Sequence, residues 1–224
     1  MAAAAHVRAE QGVVAATSAA AAELGDLRFQ RLLGAQDWAR LPAPVRSRFS
    51  RRLGGGAAAA YVGEVVEIEV SRLGRLLAQL VRLIGGPLPL VHRPGPSVVT
   101  VTEDGGSGGQ VWTRLYARPR GFPQVIHSAK RFSGPTGLEE YVGCGVGMAL
   151  RVGVEGEVLT FRSDHYFLAL AGLRIRLPGW MEPGAITVTH TEIGEGRFAF
   201  GLEVTHPCFG RLLRQRGVFR DQAT

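Results

Sequence analysis

The sequence predicts a mainly β (α+β) protein, a curved antiparallel meander sheet or barrel of roughly eight to nine strands that follows N-terminal helices and carries one amphipathic helix after its first strand. Three observations lead there. From Ser97 onward, apolar and polar residues alternate with period two, as in a strand with one buried face. The gaps between these runs are short and rich in glycine, and gaps that short join antiparallel neighbours. A flat sheet of so many strands leaves its edges unpaired, so it should curl or close.

Along the chain, residues 1–22 are Ala-rich and offer little beyond methyl groups to bury, so a flexible arm is expected, followed by a single β-rich domain over 23–224. Leu24, Leu27, Leu32 and Leu33 approximate one helical face. The Leu41-Pro42-Ala43-Pro44 run breaks it, and Val45 to Leu53 is again compatible with helix. After the Gly54-Gly55-Gly56 joint, Tyr61 to Val70 alternates as the first strand. Leu73, Leu76, Leu77, Leu80 and Ile84 then recur at helical spacing until Gly85-Gly86-Pro87. This amphipathic helix should cap one opening of the sheet or grip its face.

Later strands are expected at Val98–Thr102, Gln110–Tyr116, Gln124–Phe132, Leu138–Val154, Val158–Ala171, Ala185–Glu192, Arg197–Thr205 and Gln215–Arg220. Within the Leu138 run, Gly143, Gly145 and Gly147 would share one strand face and permit curvature. Cys144 would be a buried, inert thiol there.

Composition narrows the function. Hydrophobic residues make up 46% of the 224, enough to offset chain entropy over most of the length. The net charge is +7, almost all from scattered arginines, with Lys130 the only lysine. Scattering gives no strong nucleic-acid signal. Two cysteines outside any CxxC arrangement imply no disulfide framework, zinc site or redox centre, and no cofactor is signalled. No apolar run is long enough to span a bilayer, and the N-terminal stretch develops no leucine-rich signal core, so a cytoplasmic location is expected. Neither a nucleophile elbow nor a metal-binding histidine pattern occurs.

Several stretches resemble an uncharacterised bacterial family, domain of unknown function 4166. They are Leu41-Pro42-Ala43-Pro44-Val45-Arg46, Tyr61-Val62-Gly63, the Leu-rich helix ending in Pro87-Leu88-Pro89, Trp112-Thr113-Arg114-Leu115-Tyr116, Gly137-Leu138-Glu139-Glu140, and Leu177-Pro178-Gly179-Trp180-Met181. The resemblance supports domain extent and implies no chemistry. Related members also occur fused to dehydrogenase-like domains, which implies an accessory role beside a dehydrogenase-like partner protein.

Five residues stand out as ligand-binding candidates. Trp112, Arg114 and Tyr116 share one strand face, where an inward arginine between aromatics could hold a carboxylate or phosphate. If that face points outward, Arg114 is merely stacked and solvated. His127 could join Arg114 on a pocket wall with Glu139, or Glu140, as its partner. Three roles follow: binding of a small apolar or amphiphilic ligand in the curved sheet; a small-pocket isomerase, cyclase or hydrolase using a His/Glu acid-base pair; or an interaction module with a basic surface.

Overall fold

A computed structural model describes residues 25–90 and 93–221. The expected 1–22 arm lies outside them. Two helical segments come first, α1 (Arg28–Arg40), interrupted at Gly34, and α2 (Ala43–Phe49). Strand β1 (Ala58–Val70) leads into α3 (Arg72–Leu80) and a 3-10 turn over Val81–Ile84. Then come β2 (Gly95–Asp104), β3 (Gly109–Tyr116), β4 (Gln124–Arg131), β5 (Glu139–Gly143), β6 (Val146–Glu155), β7 (Val158–Leu170), β8 (Leu173–Arg176), β9 (Ala185–Gly194), β10 (Arg197–His206) and β11 (Gly210–Asp221).

Ten of the strands close into an antiparallel barrel. The hydrogen-bonded order is β6-β5-β4-β3-β2-β1-β11-β10-β9-β7, and β6 pairs with β7 to complete the ring. The remaining strand, β8, forms a hairpin with the last residues of β7, while β7's early residues Leu159–Arg162 pair with β9. Closure pairs every edge of the ring.

The count exceeds the sequence expectation for two local reasons. The expected Leu138–Val154 strand is two strands, because Gly143-Cys144-Gly145 is a tight turn with positive φ at all three residues. Cys144 is therefore exposed rather than buried in a strand. The second reason is β8, whose four residues are all exposed, although Leu173 and Ile175 alternate with Arg174 and Arg176 in type. The β6–β7 ladder is irregular at Asp164-His165. These adjacent strand side chains would ordinarily point to opposite faces but hydrogen-bond at 2.8 Å, next to a bulge in the β6–β7 ladder.

Antiparallel connection sorts the loops between two ends. At the base, α1 and α2 plug the barrel. Phe29, Val45 and Phe49 pack with Leu138, Leu150, Leu159 and Phe161. Arg48 of α2 fastens the plug: its guanidinium bonds Glu192 of β9 at 2.7 Å and Asp221 of β11 at 3.1 Å, over the Phe198 ring. At the other end, the mouth, lie α3, residues 117–123, the β5–β6 turn, the β7–β8 hairpin, residues 177–184 and the 206–210 turn. Helix α3 is capped by Ser71, whose hydroxyl accepts from the Gly74 amide at 3.0 Å. Gly74 itself lies against the β11 backbone, where any Cβ would collide with the Leu212 carbonyl. Glycine ordinarily weakens a helix interior, and here it allows α3 to sit directly on the barrel rim.

Towards the base, His190 is buried, stacked on Phe198 at 4.8 Å and edge-on to Phe49 and Phe200. Neither ring nitrogen has a partner among the described residues. Burial first, and the nearby Arg48 charge second, push its pKa down to about 3. A folded pKa below the unfolded value means this histidine's contribution is complete above about pH 6.5 and is lost as pH falls towards 3. Between pH 6.5 and 5, urea unfolding of the wild type should therefore lose about 1.5 kcal/mol more stability than the His190→Phe variant does. Equal pH slopes for the two proteins would show that His190 protonates freely in the fold.

Candidate functional site

The barrel interior is not filled. A cavity of about 480 Å³ runs from Phe49 of the base plug to the rim at the mouth, where Leu76, Leu80, Met181 and Phe209 border it. That volume lies within the range of about 300–1,000 Å³ typical of small-ligand sites. Its walls are mostly apolar, with Val99, Trp112, Met148, Phe161, Val188 and Phe200 among them.

One strip of wall differs. Period-two alternation turns Trp112, Arg114 and Tyr116 of β3 inward, and beside them Ser128 and Lys130 of β4 and Glu140 of β5. The ladder explains why they meet: Lys130 lies directly opposite Glu140, and Ser128 opposite Trp112. Lys130 Nζ donates to Glu140 Oε2 at 3.0 Å and stands 4.9 Å from the Trp112 ring. Arg114 Nη2 reaches Ser128 Oγ at 3.3 Å and Glu140 Oε1 at 3.4 Å.

Electrostatically the strip is unbalanced, with two cations against one carboxylate. Burial would raise the Glu140 carboxyl, but Lys130 and Arg114 outweigh that and hold it down at about 2. Burial lowers Lys130 from its ordinary value, and Glu140 opposes the shift. The charge of Lys130 is thus balanced within its buried pair, though only one of its three N–H groups meets a protein acceptor among the described residues. The long contacts of Arg114 use only Nη2, and Nε and Nη1 bond no protein atom among the described residues. Nearby, the Gln215 amide donates to the Tyr116 hydroxyl at 3.3 Å, which leaves the phenolic proton free to donate.

The five sequence candidates separate by face. Trp112, Arg114 and Tyr116 line the cavity together. His127 and Glu139 do not join them. His127 is on the outer surface, with Nδ1 2.9 Å from the Thr113 hydroxyl, because β4 turns Ile126, Ser128 and Lys130 inward and their odd-numbered neighbours out. Glu139 is also on the outer side, though buried: Ser133 and Tyr141 donate to it at 2.8 and 3.2 Å, and Arg174 of β8 covers it. Glu140, one residue on, faces inward. The anticipated His127–glutamate pair is therefore not formed with either residue.

Sequence reasoning passed over Lys130 and Ser128 as members of the site. A signal for Lys130 existed: the chain's sole lysine shares the strand face of Ile126 and Ser128.

A family with the description "Domain of unknown function (DUF4166)" matches residues 41–219, which span α2, β1 to β10 and β11 as far as Phe219. The chain belongs to this family. No curated protein matches the chain. The DUF4166 match thus encloses the whole cavity wall while leaving α1 outside, and the family description assigns it no ligand.

Proposed function

We propose that this DUF4166 domain binds a small amphiphile, with an anionic head against Arg114 and an apolar tail extending to the mouth. The observation that carries this reading is the surplus cation. Arg114 presents two nitrogens that have no partner among the described residues inside a mostly apolar cavity, next to an ion pair in which Lys130 and Glu140 balance each other's charge. An incoming carboxylate or phosphate ester would balance the charge and accept from Arg114 and from the Tyr116 hydroxyl. Such charge-assisted bonds are shorter and stronger than neutral ones. Leu73, Leu76, Leu77 and Leu80 of α3 offer the tail an apolar lining.

The domain would then serve as an accessory binder, in keeping with family members that accompany dehydrogenase-like domains. Its two free thiols suit a reducing, cytoplasmic setting. Among the described residues no helix is long and apolar enough to cross a membrane.

The test is a calorimetric titration with a long-chain carboxylic acid and with the alcohol of the same chain length. The acid is expected to bind at least tenfold more tightly, because a hydrogen bond to a charged group contributes about 1.5–3 kcal/mol. Equal affinities, or no binding of either compound, would refute the reading.

A further inference from the structure

The mouth carries an unusual concentration of exposed apolar side chains. Of the fourteen large hydrophobic residues exposed among the described residues, eleven belong to mouth segments. Four come from α3 and its 3-10 turn, three from the β7–β8 hairpin, three from the Trp180-Met181 and Phe209 turns, and one, Phe122, from residues 117–123. Leu83 and Trp180 are each 83% exposed, and neither borders the cavity. On β8, Arg174 turns to the outer surface to reach Glu139, so alternation sends Leu173 and Ile175 to the opposite side, facing across the mouth. A monomer seldom leaves so much apolar surface together unless something covers it.

Charge at this end indicates what covers it. Arg72, Arg75 and Arg82 flank the α3 leucines, Arg118 and Arg120 flank Phe122, and Arg176 ends β8. None of these six arginines forms an ion pair among the described residues, although Arg174 of β8 and Arg211 beside the 206–210 turn pair with Glu139 and Glu69. Across all the mouth connections the one described acid is Glu182. An apolar ring set among unpaired arginines complements a bilayer surface of anionic phospholipid: the leucines and Trp180 enter the headgroup region and the guanidinium groups meet lipid phosphates.

We propose that the protein docks mouth-down on an anionic membrane surface, with Leu83, Trp180, Phe209 and the β7–β8 tip as its inserting side chains. Docked in this way, the cavity opens directly into lipid, so an amphiphile's tail can enter without crossing water. This last consequence rests on the amphiphile reading above; the docking itself does not.

Vesicle flotation tests it with phosphatidylcholine vesicles, with and without phosphatidylglycerol. The wild type should float with the anionic vesicles only, release as salt is raised, and show a blue-shifted emission difference between wild type and Trp180→Phe. Leu83→Glu combined with Trp180→Glu should weaken flotation at least tenfold while leaving the calorimetric acid affinity unchanged, since neither residue borders the cavity. Failure of the wild type to float on anionic vesicles would overturn the proposal, as would undiminished flotation of the double variant. A concentration-dependent dimer that the double variant breaks, without vesicle binding, would assign the rim to self-association and overturn it too. A wild type that floats on anionic vesicles but binds no acid would overturn the amphiphile reading alone.

Discussion

Replacing Arg114 with leucine is expected to abolish the preference for an acid over the matching alcohol. Wild-type discrimination of at least tenfold should fall below about threefold, because the bonds lost to a charged head are together worth about 1.5–3 kcal/mol. Affinity for the alcohol should hold or improve, since the leucine side chain extends the apolar wall. The fold should survive: the Arg114 side chain makes two long hydrogen bonds among the described residues, at 3.3 and 3.4 Å, and Glu140 keeps Lys130 as its counter-ion. Calorimetry with both ligands, alongside a thermal melt, separates these effects. An unchanged acid-to-alcohol ratio would remove Arg114 from the site.

Glu140→Leu should be the most damaging single change on the cavity wall. It strands the Lys130 ammonium, whose side chain is 5% exposed, without its carboxylate. Removing one partner of a buried ion pair costs about 3–5 kcal/mol, which for a chain of this size lowers Tm by roughly 6–20 °C. Adding Lys130→Met should restore most of that loss, because an apolar replacement of the whole pair carries no stranded charge. The double variant keeps Arg114 and should still prefer the acid. A Glu140→Leu melt at the wild-type temperature would mean that Lys130 is neutral in the fold, or that water reaches it.

Much of the barrel was legible because it is written in period two. The β2, β3, β4, β9 and β10 runs were anticipated within a few residues, and the amphipathic helix was placed correctly at the end of β1. Breaks in the pattern were harder to read. The Val65-Val66 doublet, where β1 briefly loses alternation, marks the bulge at which its register with β11 shifts. Gly143-Cys144-Gly145 looked like a curved strand because Val142 and Val146 flank it with apolar residues. Only the positive φ angles show the reversal, and no alternation rule supplies them. Strand β8 is too short and too exposed to leave a burial signature.

The site was half legible for the same reason. Period two correctly grouped Trp112, Arg114 and Tyr116 within one strand, but relating one strand's inner face to another's requires the register. The β3–β4 and β4–β5 ladders set Lys130 across from Glu140 and turn His127 outward. A one-residue slip in either ladder would have reversed that outcome. Lys130 was visible in the sequence as a lone lysine, yet its meaning depends on the carboxylate that the ladder brings to it.

The central claim is that an anionic head sits at Arg114 with its tail towards α3, and a crystal structure with a terminally brominated long-chain acid tests it most directly. The account predicts a carboxylate within hydrogen-bonding distance of Arg114 and the Tyr116 hydroxyl, and an anomalous bromine peak near the rim formed by Leu76, Leu80, Met181 and Phe209. A bromine peak buried beside Trp112 and Phe161 with the carboxylate at the mouth, or a cavity left without the acid at saturating concentration, would contradict it.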